Sequence, residues 1–508
     1  MIPVYRQSDI KAFDHTLASN GMVESAISRA GYSVFALASK LLGGCYGKRV
    51  TAIYGPGNNG RDTLVAAKHL RLAGAVVSEV GYGTEEFMDE SSYIGADLVV
   101  DGCFGVGLSR PFHVPPLDPG VPVLAVDVPS GLDGDKGTVI GTSVAAAVTL
   151  CLSGVKLGVL VAQGPEFCGD VYLADLGIGD LGSPMLQEFL VEDDDLFWLV
   201  NRRQRTDHKW SHSVAVIAGS PGMAGAARLV CSAAYLAGAG IVHLYTDMGD
   251  QCGDYGVETV VHKADLFTQD TQGKEALFSD ISERFKSLVI GPGLGRGSGV
   301  TELVERAVSC RLPLVIDADG ISAVPSIEWL ASRISPDHPG VILTPHQGEL
   351  KALLGRSAAQ YGEDYSKEDI CSFAREFALR SGASLLIKGG PTVVSSPRGG
   401  CYITSAPSSS LAVAGSGDVL SGMIGAAISY QGDLAILAAV TAHLHGLAGR
   451  SLSSGLSGEL ANRARQILSR FKGTRTANRD HSFQKPMPIE GNLVAGSQLL
   501  GGHTHGLV

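Results

Sequence analysis

The feature that most restricts what this chain can fold into is a repeated unit. A short apolar run rich in β-branched residues leads into a glycine turn, and the turn leads into a stretch of helical periodicity. RVTAIYG (49–55), continued by Pro-Gly-Asn-Asn-Gly and then by RDTLVAAKHLRLAG (61–74), is the clearest instance. Runs with no alternating polar face are strands buried on both sides, so the pattern predicts a parallel sheet covered by helices on both faces. AVVSEVGYG, ADLVVDGCFG, VPVLAVDVPSG and AAAVTLCLSG supply further strands, and residues 8–42 read as helices that pack across them. A second α/β series follows: SVAVIAGS, the helix MAGAARLVCSAAYLAGAG, IVHLYT, SLVIGPG, PLVIDADG, VILTPHQGEL and ASLLIKGG, then the hairpin TVVSSPRGGCYIT. Glycine is 66 of 508 residues, about 13% against a usual value near 7%, as so many tight turns require.

Between the two series the texture changes. EDDD (192–195) and NRRQRTDHKWSH (201–212) have no apolar face, which places a boundary near residue 200. The expected domains are 1–200 and 201–472, with 473–508 a polar, disordered tail rich in Gly, His and Pro. No register aligns the halves as repeats, so two unrelated domains are fused. The net charge of −11 excludes a general nucleic-acid binder, which needs a positive surface to neutralise phosphates. Nine scattered cysteines without a Cys-x-x-Cys pattern point to a reducing cytoplasm. The N-terminus lacks a secretory pattern and no run is long and apolar enough for a membrane span, so no membrane partner is expected.

Gly55-Pro-Gly-Asn-Asn-Gly60 satisfies the glycine spacing of a phosphate-binding turn between strand and helix. Asn58 and Asn59, with Asp62 in the first helical turn, suit a cation or a polar ring substituent equally well. Asp101 and Asp127 close neighbouring strands, so Asn59, Asp101 and Asp127 should meet at the sheet's carboxyl edge as an oxygen-lined site. In the second series Gly291–Gly295, Thr344–Glu349 and Lys388–Gly390 each follow a strand. Ala414-Gly-Ser-Gly-Asp418 opens a helix whose free N–H groups can hold phosphate oxygens, with Asp418 aimed at the same place to take a proton from a hydroxyl. His208 and His212 have metalloprotease spacing, but Lys209 stands where the general base belongs, and no zinc site is expected. His443 and His445 lie on different faces of one helix and read as packing or surface residues.

Taken together, these motifs resemble the bifunctional NAD(P)H-hydrate repair enzymes, an NAD(P)HX epimerase fused to an ADP- or ATP-dependent NAD(P)HX dehydratase, over residues 5 to 470. The resemblance implies a doubly wound, Rossmann-like α/β domain followed by a ribokinase-like α/β domain. In the first, Gly57-Asn-Asn-Gly-Arg-Asp62 is similar to the family's Gly-Asn-Asn-Gly-Gly-Asp. By resemblance, Asn58, Asn59, Gly60, Arg61 and Asp62, with Gly105, Val106, Gly107, Leu108, Ser109, Arg110 and Pro111, bind the hydrate. Asn59, Asp101 and Ser130 bind potassium, Asp127 contacts the substrate as acid/base, and Lys156 assists. The chain departs from the pattern at Arg61 and Thr63, where the family usually has glycine.

In the second domain the resemblance assigns hydrate contacts to Ala226, Gly293, His346 and Asp418. It assigns the phosphates of ADP or ATP to Lys388, Gly389, Gly390, Pro391, Thr392 and Gly417, with magnesium shielding the nucleotide. Departures lie at 317–322, where the family ends in Asn, and in the loop 405–410. The implied partners are the small molecules NADHX, NADPHX and ADP or ATP, and a homo-oligomer is expected. Two rival readings start from the same residues. A ribokinase-type kinase of a small alcohol shares the Gly-x-Gly-Asp turn, and its N-terminal half would only bind. A plain dinucleotide dehydrogenase has no place for the Asn pair or the second domain.

Overall fold

The structure, a computed structural model, describes residues 1–177, 187–200, 202–248, 256, 258–357, 369–404, 406, 408–452 and 455–471. The predicted tail, 473–508, lies outside the described residues. The chain divides into two compact units that part between Gln187 and Glu188.

The first unit carries β1 (Ile2–Tyr5), β2 (Arg49–Tyr54), β3 (Val76–Gly81), β4 (Leu98–Gly102), β5 (Val123–Val126), β6 (Val148–Leu152), β7 (Val155–Lys156) and β8 (Asp170–Ala174). Six of these form a parallel sheet in the order β3-β2-β4-β5-β6-β8, and β1 pairs in parallel with β7. The chain runs outward from β2 to β3 on one side and restarts at β4 on the other, so the crevice at the carboxyl ends of β2 and β4 is the topological switch point. As the unbroken apolar runs require, β4, β5 and β6 are buried along their whole length. Helix Val23–Leu41 and helix Asn58–Leu72 cover one face with Val34, Leu37, Ala66 and Leu70, and an aromatic cluster around Phe87 and Phe112 covers the other. Burying each such Leu or Val stabilises the unit by roughly 1.5–3 kcal/mol.

The second unit carries β9 (Glu188–Val191), β10 (Ser213–Ile217), β11 (Ile241–Thr246), β12 (Val260–Lys263), β13 (Ser287–Ile290), β14 (Leu314–Ile316), β15 (Val341–Leu343), β16 (Ser384–Ile387), β17 (Val393–Ser395) and β18 (Cys401–Thr404). The strands run β12-β11-β10-β13-β14-β15-β16 in parallel. The expected hairpin follows, with β17 antiparallel to β16 and to β18, and β9 pairs in parallel with β18. Helices Ala224–Leu236, Ser416–Ile428, Leu434–Arg450 and Ser457–Arg470 bury one face. Among the described residues every cysteine is a free thiol, and no helix is long and apolar enough to cross a membrane.

Candidate active sites

In the first unit the loops after β2, β4, β5 and β6 leave the same edge of the sheet. Close backbone approaches that only glycine allows press them together. A Cβ on Gly55 would stand 1.8 Å from the Cys103 carbonyl oxygen, one on Gly60 2.0 Å from the Gly55 carbonyl oxygen, and one on Gly102 2.7 Å from the Asn59 carbonyl oxygen. Asn59 therefore lies over the end of β4, where its Nδ2 donates to the Val126 carbonyl at 2.8 Å. Asp101 is fully buried and accepts from the Ser130 amide at 2.8 Å and the Ser130 hydroxyl at 2.7 Å. Ser130 Oγ in turn accepts from the Phe104 amide at 2.9 Å. Burial raises the Asp101 pKa to about 6 against those hydrogen bonds, which lower it. The Asn59 amide oxygen, the Asp101 carboxylate and Ser130 Oγ are hard donors of the kind an alkali cation takes. Among the described residues no three His, Cys, Asp or Glu side chains group to hold a metal.

Asp127 closes β5 in a left-handed conformation, φ 72°, uncommon for a residue with a side chain. Its Oδ1 pairs with the Lys156 ammonium and accepts from the Leu152 amide at 3.0 Å. Lys156 is 1% exposed and donates to the Leu152 and Gly154 carbonyls at 2.7 and 3.1 Å, so all three ammonium protons are engaged. Asp62 is buried beside this pair, and its Oδ1 has no hydrogen-bond partner among the described residues. Burial first, and the Asp127 charge second, push its pKa up to about 8.

Arg61 points out of the turn and meets Glu24 Oε1 at 2.6 Å, an exposed pair of little energetic weight. Thr63 is buried, its hydroxyl donating to the Asn59 carbonyl at 2.9 Å. In the loop 105–111, a Cβ on Gly105 would meet Asn59 Nδ2 at 2.5 Å, and Val106 packs on Gly134. Leu108 is buried, while Asn58, Gly107, Ser109, Arg110 and Pro111 are exposed. Arg110 lies over the Tyr82 ring at 5.9 Å.

In the second unit the loops after β10, β13, β14, β15 and β16 converge in the same way. Gly293, φ 64°, brings its Cα against Ala226, whose Cβ would be 3.0 Å from an added methyl. His346 caps helix Gln347–Leu354 by accepting the Gly348 amide at 2.9 Å on Nδ1, and its backbone bridges to Lys388. Beyond Lys388 the Gly390–Pro391 peptide is cis, and the Thr392 hydroxyl donates to the Gly389 carbonyl at 3.1 Å. Helix Ser416–Ile428 begins after a left-handed Gly415, φ 87°, with Asp418 in its first turn. A Cβ on Gly417 would be 3.0 Å from Lys388 Nζ, so the lysine lies directly over the helix N-terminus. Burial, and then the Asp317 charge, raise the Asp418 pKa to about 6, with Lys388 acting against them.

Asp317 and Ser421 carry this arrangement, although the sequence motifs did not mark them as site residues. Asp317 Oδ1 holds Lys388 Nζ at 2.7 Å and its Oδ2 accepts the Ser421 hydroxyl. The available signal was the acid that directly follows the apolar run PLVI. His443 is 1% exposed and pairs through Nε2 with Asp193 at 2.8 Å, while His445 is buried near Lys388. Burial and the Lys388 charge lower the His445 pKa to about 4, so it is neutral. His212 pairs with Asp207 at 2.9 Å and stacks on Tyr430, and His208 caps the turn Lys209–His212.

The comparisons with known proteins cover both units. A family described as NAD(P)H-hydrate dehydratase matches residues 214–470, and one described as YjeF-related protein N-terminus matches residues 24–93 and 79–158. A bifunctional NAD(P)H-hydrate repair enzyme from Thermofilum pendens is 33% identical over 494 residues, covering 88% of this chain and 91% of that protein. One from Mycobacterium tuberculosis is 33% identical over 410 residues, covering 76% and 80%. A solved ADP/ATP-dependent NAD(P)H-hydrate dehydratase from Bacillus subtilis, co-crystallised with ATP and Mg2+, is 24% identical and covers 53% of this chain and 93% of its own, with a TM-score of 0.42. With two independent sheet-edge sites and relatives of this identity along most of its length, the chain belongs to the bifunctional NAD(P)H-hydrate repair enzymes.

Proposed function

We propose that the unit ending at Gln187 interconverts the R and S hydrates of NADH and NADPH. The unit beginning at Glu188 dehydrates the S form with ADP or ATP as phosphoryl donor. The observation that carries this reading is that each site sets a carboxylate beside a single lysine at a sheet's carboxyl edge, Asp127 with Lys156 and Asp418 beside Lys388.

A hydrated ring carbon changes configuration when its hydroxyl takes a proton and leaves as water, and water then returns to the opposite face and gives up a proton. Asp62, protonated at neutral pH, suits the acid step, and Asp127, paired with the Lys156 ammonium, suits the base. Asn58, Asn59 and the loop 105–111 would grip the nucleotide. Asn59, Asp101 and Ser130 would hold potassium, which supplies a fixed positive charge at the crevice.

In the second unit Asp418 takes the proton of the hydrate's hydroxyl, whose oxygen attacks the terminal phosphorus of the nucleotide. The bond from that phosphorus to the departing nucleotide breaks. The C–O bond of the phosphate ester then breaks, phosphate departs with the electron pair and takes up the proton that the neighbouring carbon loses, and NAD(P)H is restored. The N–H groups at Gly417 and the Lys388 ammonium offset the charge that develops on the transferring phosphoryl group. Ala226, Gly293 and His346 would contact the hydrate, and Gly389 to Thr392 the nucleotide. Magnesium would shield the nucleotide's phosphates. The described cysteines, all free thiols, support work in a reducing cytoplasm.

The test is a coupled absorbance assay. Purified protein receives mixed R and S NADHX with potassium and magnesium, and ADP and ATP are supplied separately while the NADH band is followed. Full recovery of both epimers with matching nucleotide consumption is the expected result. A stable phosphorylated product with no return of NADH would overturn the dehydratase assignment in favour of a kinase.

A further inference from the structure

Asp317 is the first residue after β14 and is 1% exposed. Both of its carboxylate oxygens are occupied. Oδ1 holds Lys388 Nζ, 71 residues away in sequence, at 2.7 Å, and Oδ2 accepts the hydroxyl of Ser421, 104 residues away. Ser421 lies one helical turn after Gly417 and faces its carbonyl at 3.1 Å. One carboxylate therefore ties the end of β14 to the end of β16 and to the first turn of helix Ser416–Ile428.

Resting on the dehydratase reading, we infer that Asp317 is a positioning residue that, with Ser421, clamps Lys388 as a fixed charge over the helix N-terminus where the nucleotide phosphates bind. Withdrawing the lysine would leave an uncompensated carboxylate in the interior, so Lys388 does not swing into solvent as a surface lysine does. A charge already in place needs no reorganisation when the phosphoryl group moves, which is the condition under which electrostatic stabilisation is most effective.

The same clamp poises Asp418. The charged groups facing that carboxyl are Asp317, Asp319 in the short helix Asp319–Ser322, Glu349 in helix Gln347–Leu354, and Lys388. Behind Lys388 stands the buried, neutral His445 of helix Leu434–Arg450. Three acids oppose one base, so neutralising Asp317 lowers the pH at which Asp418 gives up its proton.

Two readouts on the full-length protein separate the clamp from the reaction. The first is the rate at which an amine-reactive ester acylates Lys388, read by mass spectrometry of its peptide. It needs no activity, and Asp317→Asn should raise it about tenfold, because about 1.4 kcal/mol of lost restraint is a factor of ten. The second is S-NADHX dehydration. Asp317→Asn should lower kcat by about 10- to 100-fold, with the nucleotide KM moving less than about threefold and the acidic limb shifting to lower pH. Epimerisation by the same variant should stay at the wild-type rate, and a cooperative thermal unfolding transition of the second unit, followed by circular dichroism, reports that the unit carrying Asp317 is folded. If Asp317→Asn does not fold, Ser421→Ala takes its place, with the same directions and smaller amplitude. Acylation at the wild-type rate in a folded variant overturns the clamp, whatever the activity. A protected Lys388 in a wild-type protein that never returns NADH upholds the clamp and removes the dehydratase reading instead.

Discussion

Asp62, buried, and Asp418, half-buried, each face a neighbouring acid, and both keep their protons to a higher pH than a free carboxyl group does. Their proposed tasks need opposite protonation states, so the two activities should respond to pH in opposite senses. Asp62 donates and must be protonated, hence epimerisation should fall as pH rises through about 8. Asp418 accepts and must be ionised, hence dehydration should rise as pH climbs through about 6. Asp62→Asn keeps the shape and removes the acid. It should cost about 10²–10⁴-fold in epimerisation rate and erase the alkaline limb. Rates measured on resolved R and S hydrates between pH 5 and 9.5 decide the matter. An alkaline limb that survives in Asp62→Asn assigns that titration to another group. Lys156 is different in kind, because its three protons are spent on Asp127 and two carbonyls. That leaves it as the fixed partner that orients the Asp127 carboxylate rather than as a proton donor.

At the level of elements, glycine sets how closely helices and loops approach. In helix Ser416–Ile428 a Cβ on Gly422 would stand 2.2 Å from the Val230 carbonyl oxygen of helix Ala224–Leu236. Propensity favours alanine there by up to about 1 kcal/mol, but an overlap with backbone cannot be relieved by a rotamer change. Gly422→Ala should therefore destabilise the second unit by about 1–3 kcal/mol. Heating should then abolish dehydration several degrees below wild type, with epimerisation lost at the wild-type temperature. Equal loss of both activities would mean that the helix packing is not local to this unit. The buried strands β2, β4, β5, β6, β10, β11 and β13 to β16 were legible in sequence as unbroken apolar runs, whereas the less buried edge strands β8 and β12 were not. The convergence of Asn59, Asp101 and Asp127 was legible too, because each ends such a run or lies in the turn after one, and all parallel strands end at one edge. Strand order was not legible. It alone brings Asp317 to Lys388 across β15, and it seats β9, a four-residue run just ahead of the acidic stretch 192–195, beside β18. The outward turn of Arg61 was likewise invisible, because its partner Glu24 lies 37 residues away on another helix.

On the scale of the whole molecule, two units with their own cores carry two reactions on one metabolite. In the proposed function the dehydratase takes only the S hydrate, so the R hydrate reaches it through the epimerase, and the product of one site is the substrate of the other. If each unit functions by itself, its activity should survive inactivation of its neighbour on the same chain. Asp127→Asn should return NADH from the S fraction at the wild-type rate and then slow to the spontaneous rate of epimer exchange. Asp418→Asn should return none while still bringing resolved R hydrate to its equilibrium mixture with S. An equimolar mixture of the two variants should then recover the whole of a mixed R and S sample, because the free hydrate can pass through solution from one molecule to the other. The quantity to follow is the second, slower phase of NADH return as total protein is diluted at fixed substrate. A mixture that stalls at the S fraction, while each variant alone retains its own activity, would show that hydrate is handed over within one chain and does not exchange with solvent.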